Sequence, residues 1–184
     1  MQEPFDKAGV ILMILGIALS LYINSLTSEA IFARSLIFIK DFKRDYDLEW
    51  FFKYGHYFVS TLSYCSVMFI SLAVLDYSKV FVIVAAQGLG GMTFIAFEKM
   101  LIRAPRPFFV DPEIPIGLCK FAEFGSPSGH AFVAAICYFT TAAMMLKQFK
   151  ASNTTCACVY MLLICPIVLY TCLARVFDGM HTFD

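Results

Sequence analysis

Charge is what this chain lacks. Only 15% of its 184 residues are Asp, Glu, Lys or Arg, against about 25% in an ordinary soluble domain. Its 14 Lys and Arg are balanced by 14 Asp and Glu, so no net positive field remains to hold a nucleic acid. Tryptophan occurs once and histidine three times. There is no internal repeat, no low-complexity tract and no domain boundary. What is present is apolar: 60% hydrophobic residues, 20 Phe and a mean hydropathy of +0.74. A soluble domain of this size leaves too much of its area in water to hide that composition, and a disordered chain is far more polar. The class that remains is an all-α, polytopic membrane helix bundle.

The cysteines fit that class. Cys65, Cys119, Cys137, Cys156, Cys158, Cys165 and Cys172 mostly lie inside apolar runs, where Cys behaves as a small hydrophobe. Cys156 and Cys158 are separated by one residue, not the two usual in zinc and redox pairs. They are read as packing residues.

A membrane helix needs about 20 mostly apolar residues. Five stretches qualify: about Ala8 to Leu26, Tyr54 to Leu75, Val80 past Phe97, His130 to Leu146 and Cys156 to Leu173. The acidic leading segment is not the basic start of a signal peptide, so the first stretch is read as a retained span. Between the first two spans, Ile31 to Ile39 reads as a short interfacial helix. Asp76 to Lys79 reads as a tight turn. Gly88, Gly90 and Gly91 predict close helix approach in the third span. The loop from Glu98 to Gly129 carries Pro105, Pro107, Pro112, Pro115 and Pro127, and a loop of this length is usually functional. With five spans, that loop and the C-terminal tail meet on one membrane face.

Three clusters lie on that face. Lys99 and Arg106 are seven residues apart, which on a helix places them within about 20° of each other; Pro105 and Pro107 must end the helix near there. Read alone, the pair fits a snorkelling belt better than an anion site, and Arg103 reads as such a belt residue. Gly125-Ser-Pro-Ser-Gly-His130 opens the fourth span. Ser126 can cap the helix with Pro127 at its first position, and Ser128 and Gly129 then offer backbone N–H groups at the positive end of the dipole. An ordinary N-cap and an anion site are equally good readings of that cluster alone. Arg175-Val-Phe-Asp-Gly-Met-His181-Thr-Phe-Asp184 follows the fifth span. His56, near the start of the second span, is read as structural. Taken together, three cations can neutralise a phosphate, one His can attack phosphorus and the other can protonate the leaving oxygen. No cluster of acids suggests a magnesium site, so no cofactor is expected.

These clusters resemble the motifs of the type 2 phosphatidic acid phosphatase (PAP2) superfamily, which includes lipid phosphate phosphatases, the glucose-6-phosphatase group and vanadium haloperoxidases. Lys-x6-Arg-Pro is matched by Lys99, Arg106 and Pro107. Pro-Ser-Gly-His is matched by Pro127, Ser128, Gly129 and His130. Ser-Arg-x5-His-x3-Asp is matched at Arg175 and His181. The resemblance covers roughly Val80 to Asp184. It implies a fold of about six membrane helices, His181 as nucleophile, His130 as general acid, and Lys99, Arg106, Ser128, Gly129 and Arg175 as phosphate ligands. It implies a phosphorylated lipid substrate surrounded by membrane lipids, with a soluble sugar phosphate as the alternative. An oligomeric or membrane-complex partner stays open.

The chain departs from the pattern twice. Ala174 stands where the family has Ser. The family Asp falls four residues after the nucleophile, whereas Asp184 follows His181 by three, so either Asp184 substitutes from a shifted position or the chain stops one residue short. The expectation is a single domain over 1–184 that lacks its last helix and is weakly active as it stands, or a catalytically inactive structural subunit. The positive-inside rule sets Arg34, Lys40, Lys43, Arg44, Lys53, Arg103 and Lys120 on the catalytic face against Lys7, Lys79, Lys147 and Lys150, which favours a cytoplasmic site. The resemblance favours the lumenal or external side, and that side is expected.

Overall fold

The structure, a computed structural model, describes residues 7–46, 48–59, 61–114 and 124–183. Every regular element among them is a helix. Helix α1 spans Lys7–Asp45. The short α2, Glu49–Lys53, passes into a 3-10 stretch at Tyr54–Val59. Helix α3 spans Thr61–Val74. Helix α4 is a rod over 77–102, with π-type winding at Ala86–Phe94 between two α-helical parts. Helix α5 is the single turn Pro107–Val110. Helix α6 is Gly129–Gln148. Helix α7, Asn153–Phe177, carries a π turn at Tyr160–Ile164.

Among the described residues, three helices are long and apolar enough to cross a membrane: Ile14–Asp45, α6 and α7. Shorter apolar stretches, Ser63–Val74 and Tyr77–Leu89, stand where the second and third spans were expected. The molecule is an all-α membrane helix bundle. Its element boundaries correct the sequence reading in three places. The interfacial helix expected at Ile31 to Ile39 is instead the continuation of α1, because no Gly or Pro interrupts residues 27–45 and Lys43 and Arg44 suit the negative end of the dipole. The second span is not one helix: the 3-10 stretch containing Gly55 precedes α3, and Gly is a poor helix former. The expected turn at Asp76 to Lys79 is shorter, since Tyr77 is already helical and Asp76 is its cap. The Asp76 carboxylate accepts from the Lys79 amide at 3.1 Å.

Helix α6 occupies the centre. Val133 packs on Gly91 of α4 so closely that an added Cβ there would lie 3.1 Å from its Cγ2, whereas Gly88 faces open space. Phe132 stacks on Phe94 at 6.1 Å, and Phe139 stacks on Tyr160 of α7 at 5.6 Å. The Ser63 hydroxyl on α3 lies 2.9 Å from that of Tyr138, which donates to the Phe58 carbonyl at 2.6 Å. Buried clusters lie toward both ends of the bundle. Leu75, Val80 and Ile83, with Met144 and Met145, close the end bearing the α3–α4 turn. Ile39, Ile114 and Val176, and beside them Phe52, Ala174 and Phe177, close the other. The second end carries the motif residues.

Candidate active site

Helix α4 ends at Ile102, with Arg103 in the left-handed region at φ 52° as its cap. Pro105 forces the stop, since it lacks an N–H and disfavours helical geometry at the residue before it. Arg106 is therefore not on the helix of Lys99, and the seven-residue register does not place them on one face. The chain turns back, and Arg106, in extended geometry, opens α5 with Pro107 as the first helical residue. Both cations are nonetheless buried, at 9% and 2% exposure. The Arg106 Nη1 donates to the Met180 carbonyl at 3.2 Å. Arg103 is exposed, as read, and its Nε donates to the Met100 carbonyl at 2.9 Å.

The loop before α6 is docked onto this turn. The Gly125 amide donates to the Ala104 carbonyl at 2.8 Å. A Cβ on Gly125 would lie 2.7 Å from the Pro105 carbonyl oxygen and 3.2 Å from the Arg106 Cα, so only glycine permits this approach. The cap of α6 is Ser128, not Ser126: its hydroxyl accepts from the Ala131 amide at 3.4 Å, and the helix begins at Gly129. Pro127 lies ahead of the cap and takes no part in the helix. Ser128, Gly129 and His130 thus form the helix entrance, where the first-turn amides have no intrahelical partner.

Helix α7 runs past the expected Leu173 to Phe177, so Arg175 lies in its last turn. The helix then closes in a Schellman motif. The Met180 amide bonds the Arg175 carbonyl at 3.2 Å, the Gly179 amide bonds the Val176 carbonyl at 2.9 Å, and Gly179 takes φ 71°. The reversal folds His181 back toward Arg175. His181 is 4% exposed. Its Nδ1 lies 2.5 Å from the Gly125 carbonyl. A carbonyl only accepts, so Nδ1 carries the proton and Nε2 carries the lone pair.

Burial holds the His181 ring well below the usual imidazole range, and the charges of Arg175, Arg106 and Lys99 push it further down; the Gly125 carbonyl acts against them. The imidazole is thus neutral at pH 7. Among the described residues, the Nε and Nη2 of Arg175 are buried with no hydrogen-bond partner. Its Nη1 lies 3.6 Å from the Asp178 carboxylate, three residues on. A buried, half-satisfied guanidinium is costly unless something fills the vacant directions.

The structure therefore brings together His181, Arg175, Arg106 and Lys99, and ties the loop leading to Ser128, Gly129 and His130 against them. Ala174 is buried on Phe52 and Phe177. Asp184, Cys119 and Lys120 lie outside the described residues, and so does the side chain of His56. Two residues were missed as site residues. Gly125 touches all three motif segments and is signalled in the sequence only by its place before Ser-Pro-Ser-Gly-His. Asp178 is signalled by its i, i+3 spacing from Arg175.

No curated protein sequence and no solved structure matches the chain. A family model, described as the PAP2 superfamily, matches residues 60–184. That span includes both buried arginines, Lys99 and the two motif histidines, and covers well over half of the chain. The resemblance read from three short motifs thus extends from α3 to the last residue: the chain belongs to the PAP2 superfamily, whose members include phosphatases.

Proposed function

We propose that this protein is an integral-membrane phosphatase that hydrolyses the phosphate monoester or diphosphate of a lipid through a phosphohistidine. The observation that carries the reading is a neutral, buried His181 beside the Nε and Nη2 of Arg175, which meet no acceptor among the described residues. A phosphoryl group would supply oxygens to those donors, with Arg106 and Lys99 adding charge. Nε2 attacks phosphorus, the bond from phosphorus to the leaving oxygen breaks, and His130 gives that oxygen a proton. Water then attacks the phosphohistidine and passes a proton to His130. The P–N bond breaks, its electron pair returns to Nε2, and inorganic phosphate leaves. Asp184 is the third member, and Asp178 holds Arg175.

The lipid assignment follows from place. The site is built where the apolar helices α4, α6 and α7 begin or end, which supports a substrate carried on a lipid. Release of phosphate from short-chain phosphatidate, lysophosphatidate and a polyprenol diphosphate, compared with glucose 6-phosphate, tests it. Turnover of the lipids by the unaltered chain is expected. A preference for the sugar ester would replace the lipid reading by the soluble-substrate one. Undiminished turnover after His181→Ala would sink the mechanism.

A further inference from the structure

We propose that the last part of α1, residues 35–45, belongs to the catalytic centre, with Ser35 and Lys40 as positioning residues for His181 and Arg106. The inference rests on the phosphatase reading above. These residues precede the span 60–184 matched by the family model, and none of the three motifs calls for them.

Ser35 is the first observation. It is 1% exposed, and its hydroxyl donates to the Ile31 carbonyl at 2.7 Å while accepting from the Phe183 amide at 3.2 Å. A serine that bonds back to its own helix gains little there and tends to bend it. What the hydroxyl adds is an acceptor for an amide two residues past the nucleophile. That short stretch is tied at three points. Arg106 holds the Met180 carbonyl, Gly125 holds the His181 ring, and Ser35 holds the Phe183 amide. The ties come from three separate segments, and α1 supplies the outermost. The Phe183 ring also lies on Phe38, with centroids 5.2 Å apart.

Lys40 is the second. Its ammonium bridges the Asp111 carboxylate at 2.9 Å and that of Glu113 at 2.8 Å. Both acids follow directly on α5, the turn that Arg106 opens. The Lys40 bond, helped by the Glu113 amide, holds the Asp111 carboxyl below the usual carboxylate range. Between the two polar ties, Ile39 is buried against Ile114 and Val176. Ser35, Ile39 and Phe42 recur at i, i+4 and i+7, which is one helix face. That face presses on the chain after Arg106 and on the end of α7 together, so α1 fixes the cation and the nucleophile relative to each other.

The test uses the full chain in detergent micelles with short-chain phosphatidate. Ser35→Ala and Lys40→Glu should each lower kcat by about ten- to a hundredfold, as a misplacement near 1 Å does. KM should stay within about threefold, because the phosphate ligands remain. Adding Asp111→Lys and Glu113→Lys to Lys40→Glu reverses the bridge and should restore kcat. Unchanged kcat, a loss carried by KM, or no restoration by the reversed bridge would overturn the proposal. If the unaltered chain releases no phosphate, the phosphatase reading fails. The positioning claim is then decided by hydrogen exchange at the Phe183 amide: faster exchange in Ser35→Ala with unchanged exchange in α6 supports it, and unchanged exchange at Phe183 contradicts it.

Discussion

His181 shows how one residue acquires its role from its surroundings. The ring is buried, three cations bear on it, and the Gly125 carbonyl accepts a hydrogen bond from its Nδ1. Its protonation is displaced well below the ordinary imidazole value of about 6.5, so the acid limb of kcat/KM due to His181 should lie below that pH. An acid limb at or above 6.5 would contradict the account. The linkage has a sign as well. Near pH 6.5 the unfolded chain begins to protonate this imidazole and the folded chain does not. His181 therefore leaves stability untouched above about pH 6.5 and subtracts from it as the pH falls from there toward the folded value. Unfolding in detergent, followed between neutral and mildly acidic pH, should show the loss, and a His181→Phe variant should show less of it. Arg175 gives a second prediction. Arg175→Lys keeps the charge but removes the fork, so kcat/KM should fall by about ten- to a hundredfold, the value of one or two charged hydrogen bonds.

At the scale of elements, the site is made by the ways helices end. Helix α7 ends through Gly179 in the left-handed region, which costs a residue with a Cβ about 1–2 kcal/mol. Gly179→Ala should lower stability by roughly that amount and lower kcat, because His181 follows two residues on; a variant with wild-type kcat would show that the reversal does not place the nucleophile. Gly125→Ala should cost more activity still, since its Cβ would meet backbone at Pro105 and the carbonyl it offers His181 would move. Helix ends also decide what was legible beforehand. The beginning of α6 and the course of α7 followed from long uncharged runs. Lys99, Arg106, His130, Arg175 and His181 were named from motif chemistry. The loop read from Glu98 begins too early, since the helix continues to Ile102 and stops just ahead of the prolines that were read as ending it. The continuation of α1 was missed because Ile31 to Ile39 read as a separate interfacial helix, whereas the end of α1 packs on Ile114, Phe177 and Val176. Ser35 could not be found by any local rule, and Gly125 only by its place before the motif: each matters through a contact with chain far away in sequence.

For the whole molecule, the bundle places every described motif group at one end, where α4, α7 and the entrance to α6 converge. The positive-inside count favours the cytoplasm for that end, but several of its cations are engaged locally. Lys40 is paired with Asp111 and Glu113, and Arg44 with Asp41 and Asp45. Lys79 on the opposite face is likewise paired with Asp76, so the count still favours the cytoplasm, and the lumenal or external side is proposed from the family resemblance alone. A glycosylation tag in the loop between α5 and α6 should be modified in cells, and its absence together with modification at the α3–α4 turn would reverse the orientation. The central claim is that His181 carries the phosphoryl group. The most direct test incubates the purified chain with lipid labelled in its phosphate, quenches it in alkali, where phosphohistidine survives, and locates the label by peptide mass spectrometry. Label on His181, absent after His181→Ala, is the predicted result. Steady phosphate release with no label on His181, or with label on another side chain, would contradict it.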